Sequence, residues 1–516
     1  MSLLLEMVLK FASTGLWYDW LSALVLATLC AILAAIRFRF CDQNDSIPGP
    51  MGIPVLGNLL QLGKEPQKTL SKIWKKYGDV YQIHLGSRRT VVLNGAKTIR
   101  KALVGQADDF AGRPDFYSFK FIAGGKSMGF GDFTARWKMH RKIAQNALGV
   151  FINNQHNPIE IKIQKEALVL VDNLVDLSRR NLPNGINPHD EIYLSIGNII
   201  CAICFGRRYE RDDPDFMELV KTNDEFMAFV GAGNPVDIMP WMRHFTRGAF
   251  DKFLQILAVM ENLCKRKREE HVATYDPSHI RDMTDALIKT AQDIPNEKKS
   301  EIGLTDEHIL NTVQEVIGAG FDTISTSLLW AILYMASYPE YQTRVHHEIM
   351  QVVGDSRLPR TSDRLPFTEA CIYETMRSSC IFPFALPHST TKDTFLNGHF
   401  IPEKTLIFVN QWSVTHDEDV FPQPDTYDPY RFITKDGKLN KSVMDKFFPY
   451  GCGRRRCPGE QLAKQELFIF FTTIMQRCWF EPALGVSLSM ESKYGLTLKP
   501  RDFKVNVIQR NDKLTT

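Results

Sequence analysis

The chain has 516 residues, 44% of them hydrophobic and 23% charged, with a formal net charge of +3. So even a balance excludes a dedicated nucleic-acid binder, which concentrates a basic excess. Ten cysteines without dense spacing exclude a disulfide scaffold and point to a reduced, cytosol-facing protein.

In chain order, the first strongly apolar run is Trp20 to Ile36, broken by nothing more polar than Ser22 and Thr28. At about 17 residues it meets the short end of the membrane-spanning range. Trp17, Tyr18 and Trp20 gather at one end as interfacial aromatics do, and Arg37 and Arg39 follow the other. Lys10 is the sole basic residue upstream, so the positive-inside rule leaves the C-terminal bulk in the cytosol. A cleaved signal carries a basic stretch before its apolar core, so residues 1–36 are read as an uncleaved anchor. Residues 37–54 form a basic, proline-rich hinge ending in Ile47-Pro48-Gly49-Pro50-Met51-Gly52-Ile53-Pro54. Fixed φ angles and missing donors make it a stiff connector. One catalytic domain is expected over residues 55–516.

Leu70 to Tyr77 reads as helix. Val80 to Leu85 and Thr90 to Leu93 read as strands joined through Gly86-Ser87-Arg88-Arg89. Trp137 and Arg141 stand four apart on a predicted helix, and helical patterns dominate from Ile161 to Leu287. Cys201-x-x-Cys204 sits in an apolar run with no second pair, so it reads as core packing. Lys265-Arg266-Lys267-Arg268 is followed by Glu269 and Glu270 in a helical context and reads as a solvated face.

A long helix opens at Thr305-Asp306-Glu307, where threonine caps and acids suit the positive end. It runs to Ser337, stopped by Pro339, a length of about 50 Å at roughly 1.5 Å per residue. Its middle is Gly318-Ala319-Gly320-Phe321-Asp322-Thr323. Small residues there leave room beside a ligand, while Asp322 and Thr323 bring an acid and a hydroxyl. Thr323 can bond back to the carbonyl four residues earlier and bend the helix. Glu374-Thr375-Met376-Arg377 then sets an acid and a base three apart on one helix face, ahead of Asp428-Pro429-Tyr430-Arg431-Phe432.

The stretch that organises the chain comes last: Phe447-Phe448-Pro449-Tyr450-Gly451-Cys452-Gly453-Arg454-Arg455-Arg456-Cys457-Pro458-Gly459-Glu460. Cys457 lies just before a helical pattern, where unpaired N–H groups and the dipole favour an anion. A free thiol titrates near ~8.5, and such a setting, or a metal, favours the thiolate. A thiolate is a strong axial ligand for haem iron.

This stretch resembles the haem-binding signature of the cytochromes P450, at Tyr450, Gly453, Arg455, Cys457 and Gly459, with Tyr450 where the family usually has Phe. The other motifs follow in the family's order over residues 20 to 510. The resemblance implies a mainly α fold with a small β-rich lobe behind an N-terminal transmembrane helix. It makes Cys457 the axial ligand of haem b, and Trp137, Arg141, Arg455 and His388 the partners of its propionates. Gly318 to Thr323 resembles the oxygen-activation motif, in which Thr323 and Asp322 would organise proton delivery. Glu374, Arg377 and Arg431 resemble the ion-pair core that braces the haem side.

Asp108 to Asp115, Gly231-Ala232-Gly233-Asn234-Pro235, His279 to Asp282, Val409 to Trp412 and Tyr494 to Leu498 look like family 1 of the animal cytochromes P450. That family hydroxylates flat aromatic compounds, and also steroids, fatty acids and other endogenous lipids. On this likeness Phe226, Gly318, Ala319, Phe321, Phe382, Leu386 and Leu496 are expected to wall the substrate space. The implied activity is that of a haem-thiolate monooxygenase placing one atom of O2 into a lipophilic, flat aromatic or steroid-like substrate. No G-x-G-x-x-G follows a predicted strand and opens a helix, so electrons from NADPH must arrive through a partner. NADPH–cytochrome P450 reductase, steered to the basic loop around Arg454 and Arg456, would fill that role, with cytochrome b5 as an optional second partner. The resemblance places the protein in the endoplasmic reticulum (microsomal) membrane, single-pass, with the catalytic domain cytosolic. A steroid 17-alpha-hydroxylase-like monooxygenase is the alternative within the class. Outside it stand a haem-thiolate isomerase or dehydratase and a haem sensor without turnover.

Overall fold

The computed structural model describes residues 47–152 and 159–510, together with Leu24, Val25, Ala27 and Thr28. The rest of the expected anchor, and residues 37–46 of the hinge, lie outside them. Helix α1 (Pro66–Tyr77) starts four residues before the expected Leu70, because Pro66 occupies its first turn, where no N–H is needed. The hairpin β1 (Val80–Leu85) and β2 (Arg88–Leu93) turns on Gly86 and Ser87 alone, a tighter turn than the four residues expected. Six long helices follow: α2 (Ala135–Ile152), α3 (Ile159–Asn181), α4 (His189–Phe205), α5 (Pro214–Ala232), α6 (Arg247–Ala273) and α7 (Met283–Asp293).

Thr305 closes a capping box with His308 and starts the short helix Asp306–Leu310. Asn311 interrupts the run for one residue, so the long helix expected from the sequence is two pieces, the second being α8 (Thr312–Ser337). Next come α9 (Pro339–Val352), which begins on the proline that ends α8, and α10 (Pro366–Ser379). The remaining elements are β3 (His388–Ser389), β4 (Thr394–Leu396), β5 (His399–Ile401), β6 (Leu406–Val409), α11 (Glu460–Arg477), β7 (Cys478–Pro482), β8 (Ser492–Lys493), β9 (Lys499–Pro500) and β10 (Val505–Gln509). One sheet has the order β1-β2-β6-β3, parallel between β2 and β6; the other strands pair as β7 with β10, β4 with β5 and β8 with β9. The chain is thus mainly helical with a small β part.

Helix α8 is the axis of the fold. Every residue from Ile324 to Ala336 is buried. The two pieces taken as one run, Asp306–Ser337, are the one helical stretch among the described residues long and apolar enough to cross a membrane, yet 72% of its apolar window is buried in the protein. It is a core helix. It packs mainly on α4, and Gly320 permits the contact: a Cβ there would stand 2.6 Å from Ile200 Cδ1. Cys201 and Cys204 are free thiols buried in the same core. The basic run on α6 is only partly a solvated face, since Lys267 turns inward to pair with Asp215 at 3.1 Å.

Where α6 meets α7, His271 is held between two acceptors. Its Nδ1 donates to the Lys267 carbonyl at 2.7 Å and its Nε2 to the Asp282 carboxylate at 2.8 Å. Two acceptors require both nitrogens protonated, which is the imidazolium. Burial opposes that charge, but Asp282, the Lys267 carbonyl and Asp285 outweigh it, and the pKa of His271 is raised. A raised folded-state pKa gives stability that is complete below the unfolded value near ~6.5 and is lost as pH climbs through the folded value. The melting temperature is therefore expected to fall further from about pH 6 to about 8.5 in the wild type than in His271→Gln. Differential scanning fluorimetry measures this, and equal falls would remove the imidazolium from the junction.

Candidate active site

The cysteine loop closes on itself: the Cys457 N–H donates to the Tyr450 carbonyl at 2.9 Å. Gly453, at φ +72°, is pressed on the chain ahead of it, and a Cβ there would lie 1.8 Å from the Leu103 carbonyl oxygen. Only glycine fits. Among the eight described cysteines Cys457 alone is exposed. Its thiol opens into a recess yet sits deep in the protein, and burial pushes its pKa up against the Gly459 N–H, Arg141 and Arg456.

Around this recess three guanidinium groups converge. Arg455 donates from Nε to the Ala111 carbonyl at 2.8 Å, from Nη2 to Gly131 at 2.9 Å and from Nη1 to Met128 at 3.3 Å. Arg141 donates to the Arg456 carbonyl. Arg113, buried, donates to the carbonyls of Gly129 at 2.9 Å, Pro387 at 2.9 Å and Leu386 at 3.3 Å. Burial and mutual repulsion lower Arg455 to about 8 and Arg113 to about 9. Each guanidinium is met by carbonyl oxygens, so the cluster keeps net positive charge in a desolvated setting.

Trp137 lies between them, its ring centroid 4.1 Å from the Arg455 guanidinium carbon and 5.4 Å from that of Arg141. Its indole N–H is spent on the Met128 carbonyl at 2.8 Å. The ring serves as a platform for two cations. His388 is buried, and its Nδ1 donates to the Phe110 carbonyl at 2.7 Å. Burial, then Arg113 and Arg455, push its pKa down to about 3. In this neutral form Nε2 has no proton to give, so a bond to a propionate needs the carboxylate to offset the two arginines first.

Glu315 of α8 holds the loop that carries these carbonyls, accepting from the Ser127 hydroxyl and from the N–H groups of Met128 at 2.9 Å and Gly129 at 3.0 Å. On the same helix face, one and two turns on, Ala319 is exposed and Thr323 half-buried, although α8 is otherwise largely packed. That is the open face of α8. The Thr323 hydroxyl donates back to the Ala319 carbonyl at 3.0 Å, and α8 runs unbroken through it. Asp322 points elsewhere. Fully buried, it accepts from Tyr193 at 2.5 Å and Thr497 at 2.6 Å and pairs with Lys499 at 2.7 Å, which also reaches Asp224 at 2.6 Å. The structure thus separates the acid from the hydroxyl: Thr323 lies on the open face of α8 and Asp322 is fully buried.

One wall residue needs correction for the same reason. Phe321 is fully buried, directed at α4 where Gly197 makes room for its ring, so it belongs to the core. Gly318 is half-buried, and a Cβ there would meet a single atom within 4 Å, the Asn223 Oδ1 of α5 at 3.9 Å. Phe226 belongs to an apolar cluster with Ile122, Met227 and Phe253, against which Leu496, Phe119, Phe121, Phe130, Phe229 and Phe250 pack. The rings of Phe229 and Phe253 stack at 4.6 Å and 10°, and Phe226 lies 6.4 Å from Phe253 at 20°. Phe382 and Leu386 are half-buried just before His388.

In α10, Arg377 donates to Glu374 from Nε at 2.7 Å and Nη2 at 2.8 Å, both side chains fully buried. Arg431 Nε lies 3.5 Å from the same carboxylate, which also accepts from the Asp428 N–H at 2.8 Å.

A profile of the family described as Cytochrome P450 matches residues 47–507. Cytochrome P450 1A1 of Platichthys flesus is 39% identical over 506 residues, covering 95% of this chain and 97% of that one. Human cytochrome P450 1A1 is 41% identical over 488 residues, covering 93% and 95%. The chain belongs to the cytochrome P450 family. Cytochrome P450 1A3 of Oncorhynchus mykiss is similar to the same degree, 39% over 498 residues. As a cytochrome P450 the protein is a monooxygenase, with haem as cofactor, O2 as co-substrate and a redox partner for electrons.

The recess of this cytochrome P450 fits that cofactor. It offers the one exposed cysteine among those described, and three guanidinium groups whose hydrogen bonds go to carbonyl oxygens, where two propionates would need cations. Arg113 carries no spacing signal of its own; its place follows from the packing of residues 111–131 on Leu386 and Pro387. The aromatics of the 119–130 loop and of α6 were legible only as repeated phenylalanines.

Proposed function

We propose that this cytochrome P450 hydroxylates flat aromatic and related lipophilic compounds, on the endoplasmic reticulum membrane, with electrons from NADPH relayed by NADPH–cytochrome P450 reductase and with cytochrome b5 as an accessory partner. Residues 1–36 anchor it, 37–54 form the hinge and 55–516 the cytosolic catalytic domain. Haem b, when bound, supplies the activation of O2 and the transfer of one oxygen atom to the substrate. Cys457 would ligate the iron, and Arg113, Arg141 and Arg455 would hold the propionates, with Trp137 fixing the two latter guanidinium groups and His388 adding a bond once protonated. The Thr323 hydroxyl, on the open face of α8, holds a water and passes a proton inward. Asp322 keeps α8 joined to α4 and the C-terminal segment, and can contribute a proton only if that network rearranges. Glu374, Arg377 and Arg431 brace the cofactor side. Basic Arg454 and Arg456 steer an acidic donor.

The observation that carries the substrate class is the aromatic cluster around Phe226. Near-parallel rings favour a thin flat ligand by offset stacking, beyond what area alone gives. Spectral titration with polycyclic aromatics and with saturated steroids tests it. Phe226→Ala is expected to weaken flat ligands by about 0.5–1.5 kcal/mol more than globular ones. Equal losses, or tighter steroid binding by the wild type, would favour the steroid-hydroxylase-like alternative.

A further inference from the structure

The segment after α5 is fastened to two separate parts of the molecule. Helix α5 carries Phe226 and ends at Ala232; Gly233 follows at φ +73°, with no atom within 4 Å of where a Cβ would lie. It is an open joint with room to turn. Asn234 then caps the one-turn helix Pro235–Ile238, its side chain accepting from the Val236 N–H at 3.1 Å. On one side this strap is tied to the β1–β2 turn: Ser87 donates to the Ile238 carbonyl from its N–H at 3.2 Å and its hydroxyl at 3.0 Å, and Arg88 donates to the Asp237 carbonyl at 3.2 Å. On the other side the Asp237 carboxylate, 5% exposed, accepts from the Ser118 N–H at 2.8 Å and the Ser118 hydroxyl at 2.6 Å.

Ser118 opens the tight turn Ser118–Lys120, which holds Phe119 and runs directly into Phe121 and Ile122 of the aromatic cluster. The two chain segments that bring rings to that cluster from different regions, residues 117–122 and α5, are therefore clasped through one buried carboxylate. The tie to Ser87 moors the strap to the sheet, while Arg88, which also pairs with the exposed Asp115, adds a second and weaker link to the segment before Ser118. We propose that Asp237 is the fastener of the substrate entrance, a positioning residue whose two hydrogen bonds to Ser118 must break for ligand to pass. It rests on reading the aromatic cluster as the wall of the substrate space. Charge-assisted bonds of this kind are the strong ones, so their rupture sets the rate of exchange while leaving the contacts made by the bound ligand unaltered.

Stopped-flow mixing of the haem-loaded full chain with a phenylimidazole, followed by the shift of the Soret band, tests the idea. That probe binds whatever the natural substrate, so the outcome does not depend on the preference for flat aromatics, which the Phe226→Ala titration judges separately. Asp237→Ala, which removes both bonds to Ser118, is expected to raise both association and dissociation rates by at least about tenfold, since one charge-assisted bond alone carries about that factor. Ser118→Ala, which keeps the backbone bond and is the milder variant if Asp237→Ala does not fold, is expected to raise both rates by a smaller factor. Ser87→Ala should leave them unchanged. Affinity should stay within about twofold throughout, because both rates move together. Wild-type rates in a folded Ser118→Ala or Asp237→Ala, or an equal acceleration by Ser87→Ala, would overturn the proposal and leave Asp237 a purely structural acid.

Discussion

Arg377→Ala is expected to yield little folded, haem-retaining protein. Arg377 and Glu374 are both fully buried, and the guanidinium also donates to the Thr415 carbonyl at 2.8 Å and the Thr426 carbonyl at 3.2 Å. Burial already raises the pKa of Glu374, and Arg377 is the chief influence opposing it. Without the guanidinium, the carboxylate keeps the Asp428 N–H and a single arginine at 3.5 Å. Breaking a buried pair from one side costs about 3–5 kcal/mol, a large part of the roughly 5–15 kcal/mol that holds a domain folded. Arg377→Lys should rescue little, since an ammonium cannot reproduce the two-pronged contact with Glu374 and two carbonyls at once. Arg431→Ala should be milder, because its distance to Glu374 is longer and its other donors go to the carbonyls of Pro422, Gln423 and Thr426. Urea midpoints and haem content measure the series. A wild-type midpoint for Arg377→Ala would show that the pair does not brace the fold.

Cys457→Ser is expected to abolish the strongly red-shifted Soret band of the reduced, carbonyl-bound protein, and with it O2-dependent turnover. A serine hydroxyl does not ionise in the range where a metal-bound thiol does. Cys452, in the same loop, is half-buried, and burial pushes its thiol up to about 11. Cys452→Ser should therefore keep the band and the activity. The reverse pattern would shift the register of the loop by five residues and dismantle the site as described.

Much of this was readable in the chain because spacing alone specifies it. An acid and an arginine three apart on a helix must share a face, and Glu374 and Arg377 do. The cysteine loop needs glycine where it meets Leu103, and that need is visible as Gly453. Orientation around α8 was not readable. The helix is apolar on nearly every side, so periodicity does not say which face is open, and Phe321, Asp322 and Thr323 differ by about 100° per step. The partners that turn Asp322 away, Thr497 and Lys499, lie far along the chain and leave no local trace. Trp137 was placed correctly on its helix, but its N–H goes to a carbonyl in the preceding loop, which depends on how residues 127–131 fold beneath Glu315.

The most direct measurement follows the oxygen. Turnover of a flat aromatic substrate chosen by spectral titration is run with NADPH, the reductase and isotopically labelled O2. A haem-thiolate monooxygenase puts one labelled atom into each product molecule and consumes NADPH in doing so. Product free of label, or formed without NADPH, would contradict it and point to isomerase or dehydratase chemistry on the same cysteine loop.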